Sequence, residues 1–462
     1  MNESRPNLVY IFPDQYRQQV IGFMDQDPVV TPNLDRFCEE SVVFTNAASN
    51  YPVCSPYRAM LFTGKYPHSN RVITNCNSET AEYGVYLRES ERCLSDILHD
   101  VGYNQGYIGK YHLDTPLEEN YKYTEGKRGD GKAWDAYTPP GPRRHGFDFW
   151  HSYGCCDWHL NPHYWEGDAL VHQRIEPKEW SVKHETDVAV NYILNTDGKY
   201  RDSDKPFSLF VAFNPPHTPF NQVPPQYLDY YEGKSNQELL NRPNVRLDGK
   251  GAPAGIHVKN YFAAVTGIDE NFGRILNAID EKGLKENTIV VFSADHGEMM
   301  GSQNLMHKGV WYDESLLIPF IMRWPDRLQH RQDDLLLSVP DIMPSLLGLM
   351  GLNKEIPGDI QGVDYSNAIS GEDTPRPDSA LYLTIPASRP EGGNRGIRTH
   401  NYTFVIQRRI DKPDTHILHD NKADPYQIKN IADENPSLVN KLNDKLLNWL
   451  DKTEDPWLEA GL

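Results

Sequence analysis

The chain has 462 residues, of which 38% are hydrophobic and 24% charged, with a formal net charge of −19. That length buries a large core and suits two unequal domains. The acidic balance argues against nucleic acid and anionic membranes as partners. An anionic substrate must therefore be drawn in by a local basic pocket and not by the overall field. No apolar run reaches the length of a membrane span. The opening residues 1–7 lack the apolar stretch of a signal peptide, so the chain as written reads as cytoplasmic, or as periplasmic or secreted if a signal was removed before this numbering. Twenty-six Tyr and nine Trp suit a surface that grips sugars or aromatics.

In chain order, residues 8–12 read as a buried strand, residues 31–37 open a helix, and residues 42–44 form a short strand after it. A helix leads away from Cys54 through Arg58 to Phe62. Residues 94–101 are amphipathic and run into a second parallel strand at 104–108. Residues 113–187 break this rhythm. They are rich in Gly, Pro, His and Trp, including Trp134, Trp150, Trp158 and Trp165. The stretch is too long for an ordinary connection and reads as a substrate-facing insertion near a pocket mouth. A third strand follows at 207–213, a long helix at 260–282 and a fourth strand at 288–293. Alternating strands and helices of this kind predict an α/β fold with a mixed, mostly parallel central sheet flanked by helices. The polar cluster after each strand lies where open α/β sheets place ligands. The Gly-, Pro- and Asp-rich stretch 351–378 reads as a boundary. It divides a catalytic domain, residues 1–355, from a C-terminal subdomain, residues 375–462, with strands at 381–384 and 402–407 and an amphipathic helix at 436–451.

The most informative segment is Cys54-Ser55-Pro56-Tyr57-Arg58, followed by Ala59-Met60-Leu61-Phe62-Thr63-Gly64. Average composition gives roughly 0.015 chance occurrences of C-x-P-x-R in a chain with six cysteines. Alone, Cys54 would read as a small buried thiol. The other cysteines, Cys38, Cys76, Cys93, Cys155 and Cys156, show no C-x-x-C pair and no dense framework, which excludes a zinc or disulfide scaffold. The Cys54 segment closely resembles the signature of the type I sulfatases, a family of alkaline-phosphatase-like fold. The resemblance implies that Cys54 is oxidised to formylglycine by a separate maturation enzyme. The tail, including Asp424-Pro425-Tyr426-Gln427, resembles the small antiparallel sheet-and-helix subdomain of the same family.

Four strand-end clusters match the sulfatase pattern in order. Asp14-Gln15 follows the first strand and Asp295-His296-Gly297-Glu298 the fourth. Read alone, Asp14 and Asp295 are ordinary turn residues. Together with Cys54 they imply a divalent metal site of Asp14, Gln15, Asp295 and His296, faced by residue 54. Its oxygen-rich donor set favours calcium, with magnesium or manganese as alternatives. Gly109-Lys110-Tyr111-His112 resembles the family's G-K-x-H element and Asn214-Pro215-Pro216-His217-Thr218-Pro219 its P-H-x-P element. Met306-His307-Lys308 falls where the family has a sulfate-binding lysine.

The resemblance implies a hydrated formylglycine as nucleophile, Arg58 steadying it, and Lys110 and Lys308 holding sulfate oxygens. His217 would protonate the leaving alcohol and His112 would deprotonate the second hydroxyl to expel sulfate. The predicted substrate is a sulfated sugar, with Asn75, Trp158, His159, His163 and His307 as contact candidates. For the aromatic insertion, a sugar platform and a hydrophobic brace under a long loop both remain open. The alternatives are a phosphonate monoester or phosphodiester hydrolase, a choline or aryl sulfatase, and a catalytically inactive sulfatase-like binding protein.

Overall fold

The computed structural model describes residues 5–410 and 412–459. A nine-stranded sheet is built from β1 (Asn7–Ile11), β2 (Val42–Phe44), β3 (Asn104–Lys110), β4 (Phe149–Tyr153), β5 (Trp165–Glu166), β6 (Phe207–Ala212), β7 (Thr288–Phe292), β8 (Ile321–Arg323) and β9 (Arg331–Asp333). The order is β5-β4-β3-β6-β1-β7-β8-β2-β9. Its heart, β4-β3-β6-β1-β7, is parallel throughout. The partners β5 and β8 join antiparallel. β1, β6 and β7 are buried at every residue, because helices cover both faces of a parallel sheet and leave no side for polar residues.

Register decides where the chemistry falls. Ile11 lies level with Val211 on one side and Phe292 on the other, and Gly109 lies level with Ala212. Four parallel strands therefore end on one line, and the polar residues just beyond them emerge side by side. Helix Cys54–Thr63 is buried at all its residues and starts at this same edge. It ends at Gly64, whose φ of 64° is the left-handed cap that favours glycine.

A second sheet, β10 (Ala380–Thr384), β11 (Gly393–Arg398), β12 (Tyr402–Arg408) and β13 (Thr415–Asp420), is antiparallel throughout. The main apolar cluster runs into it through Leu381, Ile397, Phe404 and Leu418, and on to Leu442, Leu446 and Leu450 of the final helix Pro436–Lys452. The buried Arg395–Asp455 pair at 2.7 Å joins this sheet to the chain beyond that helix. No helix among the described residues is long and apolar enough to cross a membrane.

Two departures from the sequence reading bear on the site. Residues 113–187 are not a simple excursion, because β4 and β5 extend the main sheet, β4 running parallel to β3. Phe149-Trp150-His151-Ser152-Tyr153 carries no aliphatic run, so its strand character is invisible to hydrophobic periodicity. The long helix begins at Ala254, not 260, and this earlier first turn forms part of a wall beside the active cleft.

Candidate active site

Cys54 is the first residue of its helix, where unpaired amides make the local field positive. Its Sγ lies 3.4 Å from His296 Nε2 and 3.6 Å from Asp14 Oδ1, and accepts from Lys308 Nζ at 3.3 Å. Burial and Asp14 push the thiol up, but Lys308, Lys110 and His296 outweigh them and hold it well below its usual value. Asp14, Cys54, Asp295 and His296 are all buried and offer atoms within 4.8 Å of one another.

Three cations surround this group. Arg58 lies one helical turn after Cys54 and reaches Asp14 Oδ2 at 3.4 Å and Asp295 Oδ2 at 3.3 Å, while donating to the Lys110 carbonyl. Lys110, fully buried at the end of β3, meets Asp14 Oδ2 at 2.7 Å and donates to Asn214 Oδ1 at 3.0 Å. Lys308 donates to Gln15 Oε1 at 2.9 Å. The Gln15 amide is fixed at its other end by Glu298, at 2.5 Å, and its backbone N–H donates to Asp295 Oδ1 at 3.0 Å.

A cation fits the carboxylate cluster. His296 Nδ1 donates to the Gly297 carbonyl at 2.9 Å, which makes Nε2 the atom that faces Asp14 and Asp295, at 3.4 and 3.5 Å, and that a metal would take in place of a proton. An imidazole anchored in this way is typical of a metal ligand. Burial and the neighbouring Asp14 push Asp295 up to about 6. His296 rises to about 9, because Asp295, Cys54 and Asp14 outweigh its burial. The Asp295 shift reflects two carboxylates crowded together, and the His296 shift shows that the space facing them favours positive charge, which a divalent cation would supply.

Two histidines face the cleft with fixed tautomers. His217 Nδ1 donates to the Thr218 carbonyl at 2.8 Å and sits 3.5 Å from Asp157 Oδ1. Burial, Lys308 and Lys110 oppose its protonation, yet Asp14 and Asp157 lift it to about 9. His112 Nε2 donates to the Cys76 carbonyl at 3.0 Å, and its buried Nδ1 has no hydrogen-bond partner. Burial disfavours charge on His112, but Cys155 and Cys54 raise it above the ordinary value. Cys155 is itself drawn down to about 6, its burial outweighed by His112, Lys110 and Arg128.

These groups line a cleft of about 430 Å³, with Gln15, Cys54, His112, His217 and Lys308 on its walls. Asn75 also lines it, and its Oδ1 accepts from the Ser55 backbone at the start of the Cys54 helix at 2.9 Å. His307 stands at the mouth. Trp158, His159 and His163 are not among the lining residues. His163 is completely buried and pairs with Asp135 at 2.8 Å. His159 is buried with its Nε2 3.2 Å from the Thr218 carbonyl. Trp158 is 40% exposed, with its ring against His163. His159, His163 and Trp165 of the aromatic segment are thus buried, while the segment reaches the cleft through Trp134, Arg128, Cys155 and Asp157. No motif marks those four. Arg128 pairs with Asp157 at 2.6 Å and with Glu125 at 2.6 Å, an arrangement set by folding and not by spacing in the chain.

A carboxylate–imidazole cluster at the ends of parallel strands, ringed by two lysines, an arginine and a nucleophile position, defines a hydrolase of anionic esters. The chain belongs to the sulfatase family. The family model described as Sulfatase matches residues 6–352, and one described as N-sulphoglucosamine sulphohydrolase, C-terminal, matches residues 301–454. The chain is 42% identical to an endo-4-O-sulfatase of Bacteroides thetaiotaomicron, over 98% of this chain and 93% of that protein. It is 36% identical to an ulvan-active sulfatase of Formosa agariphila, over 96% and 80%. The crystal structure of the sulfatase yidJ from Bacteroides fragilis superposes with a TM-score of 0.91 at 41% identity, covering 99% of this chain and 98% of that one. The protein is a sulfatase with the alkaline-phosphatase-like sheet and a separate four-stranded antiparallel sheet.

Proposed function

We propose that the enzyme removes an O-sulfate from a carbohydrate. The observation that carries this reading is a cleft lined by Cys54, Lys308 and a protonated His217, with the Lys110 ammonium buried behind it against Asp14, which Lys308 also approaches. A divalent cation held by Asp14, Asp295 and His296, with Gln15 adjacent, would polarise the sulfuryl group, and a formylglycine installed at position 54 by a maturation enzyme would supply the nucleophilic oxygen. Oxygen donors make calcium the best fit, with magnesium or manganese as substitutes.

The remaining work falls to side chains. Lys110 and Lys308 hold non-bridging sulfate oxygens and stabilise the charge that grows on them. Arg58, fully buried against both carboxylates, keeps Asp14 and Asp295 ionised and oriented. His217 keeps a proton on Nε2 for the departing sugar oxygen, because Nδ1 is tied to Thr218 and Asp157. His112 has Nε2 tied to the Cys76 carbonyl and Nδ1 without a partner, so its neutral form can accept a proton at Nδ1. The names of the endo-4-O-sulfatase and the ulvan-active sulfatase support a sugar as the alcohol.

The test is sulfate release by the matured enzyme from a panel of sulfated mono- and oligosaccharides, run beside a phenyl phosphonate monoester. The proposal expects at least one sugar sulfate to be cleaved with a kcat/KM far above that of the phosphonate. Efficient phosphonate hydrolysis with every sugar sulfate inert would overturn it.

A further inference from the structure

A larger groove of about 880 Å³ opens directly from the catalytic cleft, sharing Thr218, His307 and Lys308 with it. Its floor is apolar, made by Phe220, Met306 and their neighbours. Four polar side chains stand around that floor: Asn221, Lys250, His257 and Asn260. Among the described residues none of the four makes a side-chain hydrogen bond or an ion pair. Elsewhere near the site polar groups are held by the protein, as Arg128 is by Glu125 and Asp157. His257 packs its ring on Phe220, with centroids 5.3 Å apart, and its polar atoms stay free for a ligand; an apolar floor with a few such polar groups is the ordinary construction of a small-ligand site.

The charge of the groove is also selective. The chain has 65 acidic residues against 46 Lys and Arg, yet no carboxylate lines this groove. Lys250 and His257 line it together with Lys308, whose Nζ reaches Cys54. The groove thus offers lysines and no carboxylates in a strongly acidic protein. A molecule whose sulfate sits beside Lys308 enters this groove if its next unit lies on the Lys308 side, because the two cavities share that residue.

We infer that this groove is a subsite for the sugar next to the one that loses sulfate, and that it selects a residue carrying a negative charge. Lys250 and His257 meet the anionic group, Asn221 and Asn260 bond to hydroxyls, and the Phe220 floor takes an apolar face of the ring. The inference rests on the proposed sugar-sulfatase reading and adds the second residue of the substrate to it. It also places recognition of that second sugar on the 218–221 and 250–260 segments.

The experiment uses the matured enzyme, Lys250→Glu and His257→Ala. Lys250 is exposed and His257 half-buried, so neither change strains the core. Three sulfated probes are compared: a 4-O-sulfated N-acetylhexosamine, the same residue in a tetrasaccharide flanked by uronates, and the same residue flanked by neutral hexoses. Calorimetric binding of the desulfated uronate tetrasaccharide is measured in parallel. The expected result is that the wild type prefers the uronate tetrasaccharide. Lys250→Glu should raise its KM about threefold to tenfold with kcat unchanged, weaken binding of the desulfated probe by a similar factor, and leave the monosaccharide unaffected. High salt should shrink the difference. If sulfate is released normally and neither variant changes either readout, the subsite is refuted and the reaction stands. If no sugar sulfate is cleaved but probe binding depends on Lys250, the subsite stands and the reaction assignment falls. Equal losses on monosaccharide and tetrasaccharide also refute the subsite.

Discussion

Asp157→Asn isolates the group that sets the proton on His217. The Asp157 carboxylate lies 3.5 Å from His217 Nδ1 and 2.6 Å from Arg128. Asn keeps the shape and one acceptor oxygen but removes the charge, and Arg128 retains Glu125 at 2.6 Å. An opposite charge at this range shifts a histidine by about 1–3 units. His217 stands at about 9, with burial and two lysines opposed by Asp14 and Asp157. When Asp14 shares its charge with a cation, Asp157 becomes the main acidic partner. His217 acts in its protonated form, so a lower pKa moves the loss of activity to lower pH. The alkaline limb of kcat/KM on an alkyl or sugar sulfate should therefore fall by about 1–3 pH units, and a two-unit fall costs about tenfold at pH 8. The limb for 4-nitrophenyl sulfate should stay in place, because that leaving group departs without a proton. Melting temperatures of both proteins, taken beside the pH profiles, separate this from unfolding. An unmoved limb, or the same shift on both substrates, would show that His217 is not the acid.

Lys308→Ala should cut turnover about a hundred- to a thousandfold with a smaller change in KM, since the lost charge acts on the developing transition state. Steady-state kinetics on the natural sugar would show a pure KM effect if Lys308 only binds. Glu185, completely buried beneath the Tyr153 and Tyr164 hydroxyls, is raised to about 8 by desolvation. Its folded pKa exceeds the unfolded value near 4.3, so its contribution is fully present at low pH and is lost as pH rises from about 4.3 to about 8. Glu185→Gln should melt with the wild type at pH 4 and above it at pH 8, whereas parallel melting curves would contradict the buried neutral acid. His163→Ala leaves Asp135 buried without its partner at 2.8 Å. It should lower the melting temperature by an amount equivalent to about 3–5 kcal/mol, with KM on any sugar sulfate unchanged. A raised KM at full stability would return His163 to the substrate.

Much of the catalytic edge was legible because parallel strands buried on both faces write themselves as apolar runs. Residues 8–12, 207–213 and 288–293 each end in a polar cluster, and the parallel register aligns those clusters. Asp14, Asp295, Lys110 and His217 meet for that reason. Other strands were not legible. Phe149–Tyr153 mixes aromatic and polar residues with neither an aliphatic run nor an alternation, and Ile321–Arg323 and Arg331–Asp333 are three residues each, too short for any period to show. Asp157, Arg128 and Cys155 reach the cleft by the path of a long segment with no motif. The Trp158 to Trp165 stretch invited a sugar platform on composition alone, but composition does not say which way a ring faces. In the structure Trp165 and His163 are buried, Trp158 is exposed and Trp134 lines the cleft. The groove beside the cleft joins segments from three parts of the chain, and no local pattern announces such a meeting.

The account stands on position 54. Peptide mass spectrometry of the purified, active enzyme, with its specific activity and elemental analysis on the same sample, tests it most directly. The account predicts that the peptide carrying Cys54 has lost sulfur and two hydrogens and gained one oxygen. It further predicts that the converted fraction tracks activity across preparations, that Cys54→Ala is inactive, and that about one calcium, or a magnesium or manganese in its place, accompanies each active chain. Full activity from a protein whose Cys54 is an unmodified thiol would contradict it.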